Sequence, residues 1–347
     1  MHDTDGAWST IGNLAPVVWL GALAACALLI LVLTPLLRNA ALAVPTHRSS
    51  HKTPTPQWGG LAISVATLSA AAVGVAVLGL GGMQDGGLAR VSLAALLLVV
   101  LGGIDDTHTL GAGVKLAVQA AAVALMLTAL PEGLRVAPFL PLLIERAMVF
   151  LGALWFVNLV NFMDGIDWMM VAEVVPITAG VAIIAALVPT PADALILALA
   201  LNGAMLGFAP FNRPVARLFM GDMGSLPIGL MLAWLLIVVA SEGHLVSALL
   251  LPLYFLADTG VTLVRRLRGG ERVWVAHRTH FYQRARDNGF SNLQIVGRVF
   301  AVNVALIALA VLAAVALSPL SQVLALFGGI GIVSWVMMVF ARSRTRA

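Results

Sequence analysis

Long apolar runs, separated by short polar segments, dominate the chain from end to end. Runs near 13–37, 59–81, 88–104, 112–130, 143–160, 169–188, 193–209, 224–240, 244–264, 293–317 and 321–341 each approach the roughly 20 apolar residues that a helix needs to cross the hydrocarbon. Within lipid a backbone must satisfy its own hydrogen bonds, so these runs predict helices. The pattern gives an all-α, polytopic membrane protein of about eleven spans in a single transmembrane domain, 1–347. The third, fifth and seventh runs are short, and Glu145 and Arg146 sit at the edge of the fifth, so one of the three is a candidate re-entrant segment.

Charge adds an orientation. With the N-terminus outside and the C-terminus cytoplasmic, the inner segments hold 17 of the 20 Lys and Arg residues and leave Arg90, Arg135 and Arg146 outside, as the positive-inside rule requires. The first residues, MHDTDGAW, lack the positive n-region of a cleavable signal, so the first run reads as a retained span. Composition agrees: 61% of residues are hydrophobic and 10% charged. The net charge of +4 needs no nucleic acid, since basic inner loops anchor on anionic membrane lipid. The single cysteine, Cys26, lies within the first run and reads as a packing residue.

Acidic residues gather where the basic ones do. Asp105, Asp106, Asp164, Asp167 and Asp222 all fall at predicted cytoplasmic ends of spans, and the inner loops near 38–58, 105–115, 161–168, 210–223 and 265–292 are where chemistry is expected. In GGIDDTHT the adjacent Asp105 and Asp106 repel unless a cation neutralises them; hard Mg²⁺ takes one or two carboxylates and completes its shell with water and substrate phosphate. A solvated helix end is the competing reading of the pair. In NLVNFMDGID the spacing of three puts Asn161, Asp164 and Asp167 on roughly one face of a helical turn, although Asp-Gly also makes ordinary turns. In PFNRPVARLFMGDMGS, Asn212 opens a short loop, and Gly-Asp-x-Gly-Ser closes it as either a ligand approach or a helix start capped by Asp222. The loop RRLRGGERVWVAHRTHFYQRARDNGFSN holds His277, Arg278 and His280. With no cysteine or third histidine nearby, it suits a diphosphate better than zinc, and a basic loop anchored on lipid is the plainer alternative.

Taken in order, PTPQWGG, GGIDD, NFMDGID, FMGDMGS and HRTH resemble the motifs of the polyprenyl-phosphate N-acetylhexosamine-1-phosphate transferases, the glycosyltransferase family 4 type, over roughly residues 45–285. The resemblance implies Mg²⁺-dependent transfer, with Mn²⁺ as a substitute, of a sugar 1-phosphate from a UDP-N-acetylhexosamine to undecaprenyl or another polyprenyl phosphate, releasing UMP. It implies metal and catalytic roles for Asp105, Asp106 and Asp222, and substrate-binding roles for Lys52, Asn161, Asp164, Asp167, Asn212, His277, Arg278 and His280. It further implies a bacterial inner-membrane location with the site on the cytoplasmic face, and it allows a homodimer. Two positions depart from the family pattern. Trp168 stands where a small residue usually follows the second motif, and His-x-x-His replaces consecutive histidines, as in enzymes that start O-antigen or other surface polysaccharides. Whether the chemistry is direct attack or passes through an aspartyl-phosphate stays open, with direct attack preferred. The rival class is a transporter, for which the intramembrane acids Glu173 and Asp258 would be ordinary. The grouping of acids at the inner ends favours the enzyme, and Glu173 and Asp258 are expected to face the bundle interior.

Overall fold

A computed structural model describes residues 4–37, 42–43, 54–78, 87–130, 133–271, 277–316 and 318–342. Seven helices carry the first part of the chain: α1 (Thr4–Leu37), α2 (Gly59–Val77), α3 (Gly87–Thr107), α4 (Ala112–Leu127), α5 (Leu142–Met163), α6 (Met169–Leu187) and α7 (Ala192–Phe208). They are followed by α8 (Asp222–Val239), α9 (Leu245–Leu250), α10 (Leu253–Arg268), the short α11 (Phe281–Asp287), α12 (Asn292–Val315) and α13 (Pro319–Ala341). Strand is confined, among the described residues, to an antiparallel pair, β1 (Leu42–Ala43) and β2 (Thr55–Pro56). Among the described residues eight helical stretches are long and apolar enough to cross a membrane, with α4 and α7 as shorter apolar helices. The protein is an all-α polytopic membrane protein.

The runs read from sequence all lie on helices, with differences at their ends. α3 and α5 extend to 21 and 22 residues, so neither is short. Glu145 falls inside the first turn of α5 rather than at its edge. Its buried carboxylate accepts from Arg135 and from the backbone N–H groups of Val136 and Ala137, which ties the preceding loop onto the helix. The run 244–264 is not one helix. A π-helical turn at Ala240–His244 carries Gly243 at φ 91°, and α9 stops before Pro252, whose missing N–H cannot continue the helical ladder.

α8 lies at the centre. It is apolar all round, as a helix must be when protein surrounds it, and 15 of its 18 residues are buried. α3, α5 and α2 pack around it, while α1 packs on α7 and α6 on α12. Gly203 and Gly207, four apart on α7, let the α1 backbone come so close that added Cβ atoms would stand 2.2 Å from the Trp19 carbonyl oxygen and 2.4 Å from that of Leu23. Close backbone approach at small residues is how helices associate without a hydrophobic drive between them. Glu173 and Asp258 are fully buried, as the cost of presenting an acid to lipid requires.

Candidate active site

Three helix ends meet at one end of the bundle. Gly59 and Gly60 begin α2, Gly102 and Gly103 stand in the last turns of α3, and Gly221 precedes α8. The backbones touch there: a Cβ on Gly60 would lie 2.2 Å from Gly224 Cα, and one on Gly102 would lie 2.3 Å from Met223 N. Gly221 has φ 71°, where a side chain is strained, and a Cβ would also strike the Asp106 carboxylate.

This contact explains the aspartate pair. Both residues belong to the last turn of α3 rather than to a loop, and they point to different tasks. Asp106 accepts the backbone N–H groups of Asp222 at 3.1 Å and Met223 at 3.2 Å, so the first free amides of α8 are capped by a carboxylate from another helix. Asp222 itself is therefore a first-turn residue and not the cap. Asp105 accepts from Lys115 Nζ and from the Leu110 N–H, each at 2.9 Å, and its carboxyl group lies within hydrogen-bonding reach of Asp222. Asn161 Nδ2 donates to Asp222 Oδ1 at 2.7 Å and to Ser225 Oγ at 2.8 Å.

The reading of Asn161, Asp164 and Asp167 as one helical face is corrected. α5 ends at Met163, Asp164 takes φ −80° and ψ 60°, and the chain turns through Gly165 before α6 begins. The Asp-Gly turn thus prevails over the spacing of three. All three side chains still line one cavity of about 300 Å³, together with Gln57, Asp106, Asn212, Asp222 and Gln283. Asn212 accepts from the Trp168 N–H at 2.8 Å and donates to the Leu218 carbonyl at 3.0 Å, and Asp167 accepts from the Ala216 N–H at 3.3 Å. Trp168 does not narrow the pocket: its indole N–H donates to the Ala209 carbonyl at 2.7 Å, and the ring is absent from the cavity wall. Its backbone is left-handed at φ 65°, a conformation that favours glycine over any residue with a Cβ.

Four of the predicted residues stand apart from the cavity wall. Asp105 is held by Lys115 behind Asp106. Arg278 reaches Asp287 at 3.4 Å near the surface. His280 is buried, with Nδ1 3.1 Å from Asp258 Oδ1, and His277 stacks on it at 4.9 Å between ring centres. Burial, with His280 and Arg266 beside it, pushes the His277 pKa down to about 4, so that ring is neutral at physiological pH. Lys52 lies outside the described residues. Gln57 and Gln283 were missed by sequence reasoning. Gln57 donates to the Asp106 carbonyl at 3.0 Å and follows the Thr-Pro motif, which was a usable signal; Gln283 carried none.

The cavity is strongly acidic. Burial, and then the neighbouring Asp222, Asp106 and Asp167, push Asp164 up from 3.8 to about 7. Asp106, Asp222 and the Asn161 amide present oxygen atoms, the donor type that Mg²⁺ prefers. Among the described residues no group of three His, Cys, Asp or Glu side chains is close enough to enclose a metal. The fit is therefore to an ion held by one or two carboxylates, with phosphate oxygens and water as its other ligands.

A pH dependence follows in the metal-free protein. Between pH 4 and 7 the folded chain keeps a proton on Asp164 that the unfolded chain has lost, so stability falls as pH rises through that window and is lowest above it. The melting temperature in a chelator is expected to drop from pH 5 to pH 8, and millimolar Mg²⁺ to restore it at pH 8. A flat profile, or no response to Mg²⁺, would contradict this account of the cavity.

An all-α membrane bundle with a carboxylate-rich cavity at the meeting of its helix ends is the class of molecule this geometry defines. The family model described as glycosyl transferase family 4 matches residues 88–240, which include nearly all of α3, the whole of α5 and α8, and all five acids. A probable undecaprenyl-phosphate N-acetylglucosaminyl 1-phosphate transferase of Bacillus subtilis (strain 168) is 28% identical over 302 residues, covering 80% of this chain and 81% of the relative. A decaprenyl-phosphate N-acetylglucosaminephosphotransferase of Mycobacterium leprae is 28% identical over 299 residues, covering 75% and 73%. A phospho-N-acetylmuramoyl-pentapeptide-transferase of Leuconostoc citreum is 32% identical over 206 residues, covering 54% and 63%. The family-model match and these relatives support the polyprenyl-phosphate N-acetylhexosamine-1-phosphate transferase family for this chain, and with it a phosphotransferase built as an integral membrane protein.

Proposed function

We propose that the protein transfers N-acetylhexosamine 1-phosphate from a UDP-sugar to undecaprenyl phosphate at the cytoplasmic face of a bacterial inner membrane, as the first membrane step of a surface glycan. The observation that carries this reading is the cavity itself, in which Asp106, Asp222 and Asn161 from three helices face Asp164, Asp167 and Asn212. The names of the relatives make UDP-N-acetylglucosamine the first donor to test.

In this reading a phosphate oxygen of the lipid attacks the β-phosphorus of the donor, and UMP leaves. One diphosphate linkage is broken and one formed, so the site has a barrier to lower and little driving force to supply. Phosphoryl transfer is catalysed chiefly by positioning and by neutralising charge. Bound at Asp106, Asp222 and Asn161, Mg²⁺ would supply that neutralisation on the diphosphate. Asn161 holds Asp222 in place, Asp106 fixes the start of α8, and Lys115 balances Asp105. Asn212 keeps Trp168 and the loop before α8 together, which keeps Asp164 and Asp167 on the nucleotide side.

An apolar cavity on the bundle supports the lipid half of this reading. An apolar cavity of about 240 Å³ lies between α5, α8 and the broken α9–α10 pair, lined by residues such as Trp155, Phe156, Leu236, Leu249, Pro252 and Leu256. Phe156 is seven residues before the end of α5, or about 10 Å along its axis at 1.5 Å per residue. A polyprenyl tail lying there would bring its phosphate to the acidic end.

Purified protein in detergent, given undecaprenyl phosphate, Mg²⁺ and individual UDP-N-acetylhexosamines, is expected to release UMP only when lipid, metal and a preferred donor are all present. Release without lipid would indicate a hydrolase, and none with any donor in folded protein would reject the transferase reading.

A further inference from the structure

Asp258 belongs to no motif of the cavity, yet it is the most heavily hydrogen-bonded acid in the described residues. From α10, fully buried, its Oδ1 accepts the Phe281 N–H at 2.9 Å, lies 3.1 Å from His280 Nδ1, and meets Thr262 Oγ1 at 3.4 Å. Its Oδ2 accepts the Tyr282 N–H at 3.1 Å and the Tyr254 hydroxyl at 3.2 Å. Surrounded by donors, the carboxylate acts as an acceptor throughout. His280 then carries a proton on Nδ1, which orients its ring with Nε2 on the far side from Asp258.

The same contacts set the wall of the cavity. Asp258 fixes the first two amides of α11, and the Tyr282 hydroxyl donates to the Phe162 carbonyl at 3.1 Å, next to the Asp164–Gly165 turn. Gly165 leaves room for that hydroxyl, which would stand 2.0 Å from a Cβ there. Gln283, on the cavity wall, accepts the His280 N–H at 3.3 Å and donates to Tyr282 Oη at 3.1 Å. The His280 and Tyr282 rings stack at 5.8 Å.

We propose that Asp258 is a positioning residue of the transferase, acting from inside the bundle by orienting the His280 ring through Nδ1–H and holding α11 against the Asp164 turn. The inference rests on the function proposed above. A group that works through another is recognised by non-additivity, since once the second is gone the first has nothing left to position.

The experiment measures kcat, KM for UDP-N-acetylglucosamine and melting temperature for Asp258→Asn, His280→Ala and the double variant. Asp258→Asn is expected to lower kcat at least tenfold with KM within about twofold, and the double variant to be no slower than the slower single. His280→Asn is the second probe, because its amide can replace Nδ1–H on Asp258 while supplying nothing in place of Nε2. It is expected to melt like the wild type and to turn over as slowly as His280→Ala. Losses that multiply in the double variant, or wild-type kcat in His280→Asn, would overturn the proposal. Should Asp258→Asn not fold, the His280→Asn result decides alone. Wild-type protein that releases no UMP would instead overturn the function on which the proposal stands.

Discussion

Asp222→Asn is expected to lower UMP release by about 10³-fold while leaving the protein at least as stable as before. The size is that of losing one preorganised charge contact in a phosphoryl or acyl transfer site. The stability follows from the neighbourhood. Asp222 lies beside Asp106 and Asp105, and its Oδ1 accepts from Asn161 at 2.7 Å. An asparagine of the same shape keeps an oxygen for Asn161 and removes one of several mutually repelling charges. In a chelator the melting temperature should rise by about 2 °C, the shift that roughly 1 kcal/mol produces in a chain of this size. Asp105→Asn gives the opposite pattern: it breaks the ion pair with Lys115 and melts lower, and being off the cavity wall it costs less activity. Equal losses of rate in the two variants would mean that the pair is not divided as described.

The division of the aspartate pair shows where the sequence was legible. Asp105, Asp106, Asp164, Asp167 and Asp222 stood out because each is a charge at the end of an apolar run, and four of the five line the cavity. Which neighbour faces inward depends on the rotation of α3 against α8, and that is fixed by Gly102, whose meaning is visible only once the second helix is in place. The fold was legible for the same reason, since length and apolarity locate a span. The helix breaks were less so. Pro252 marks one plainly, whereas the π-turn at Ala240–His244 interrupts a run whose composition hardly changes. Asp258 was read correctly as an interior acid, but its partners Phe281 and Tyr282 lie 23 and 24 residues away, and local pattern does not join them.

Gly60→Ala and Gly102→Ala are expected to be the most damaging single-methyl changes at the site, each costing about 3 kcal/mol or preventing purification of folded protein, at the upper end for overpacking a tight core. Elsewhere an added Cβ can often be absorbed by a side-chain rotation. Here the obstructing atoms are backbone: Gly224 Cα and N stand 2.2 Å from the Gly60 position, and Asp222 C and Met223 N stand 2.3 Å from the Gly102 position. Relief requires the start of α8 to withdraw from α2 or α3, and that movement carries the Asp222 and Met223 amides away from Asp106, which now holds them at 3.1 and 3.2 Å. Activity should therefore fall even in any fraction that stays folded, since Asp222 leaves the position that Asn161 and Asp106 share with it. Gly113→Ala and Gly297→Ala are the controls. Both residues are helical with nothing within 4 Å of the added carbon, so alanine should be neutral or stabilise by about 0.5–1 kcal/mol. Melting curves and UMP release on the four variants separate the outcomes, and wild-type behaviour of Gly102→Ala would show that α3 and α8 do not meet backbone to backbone.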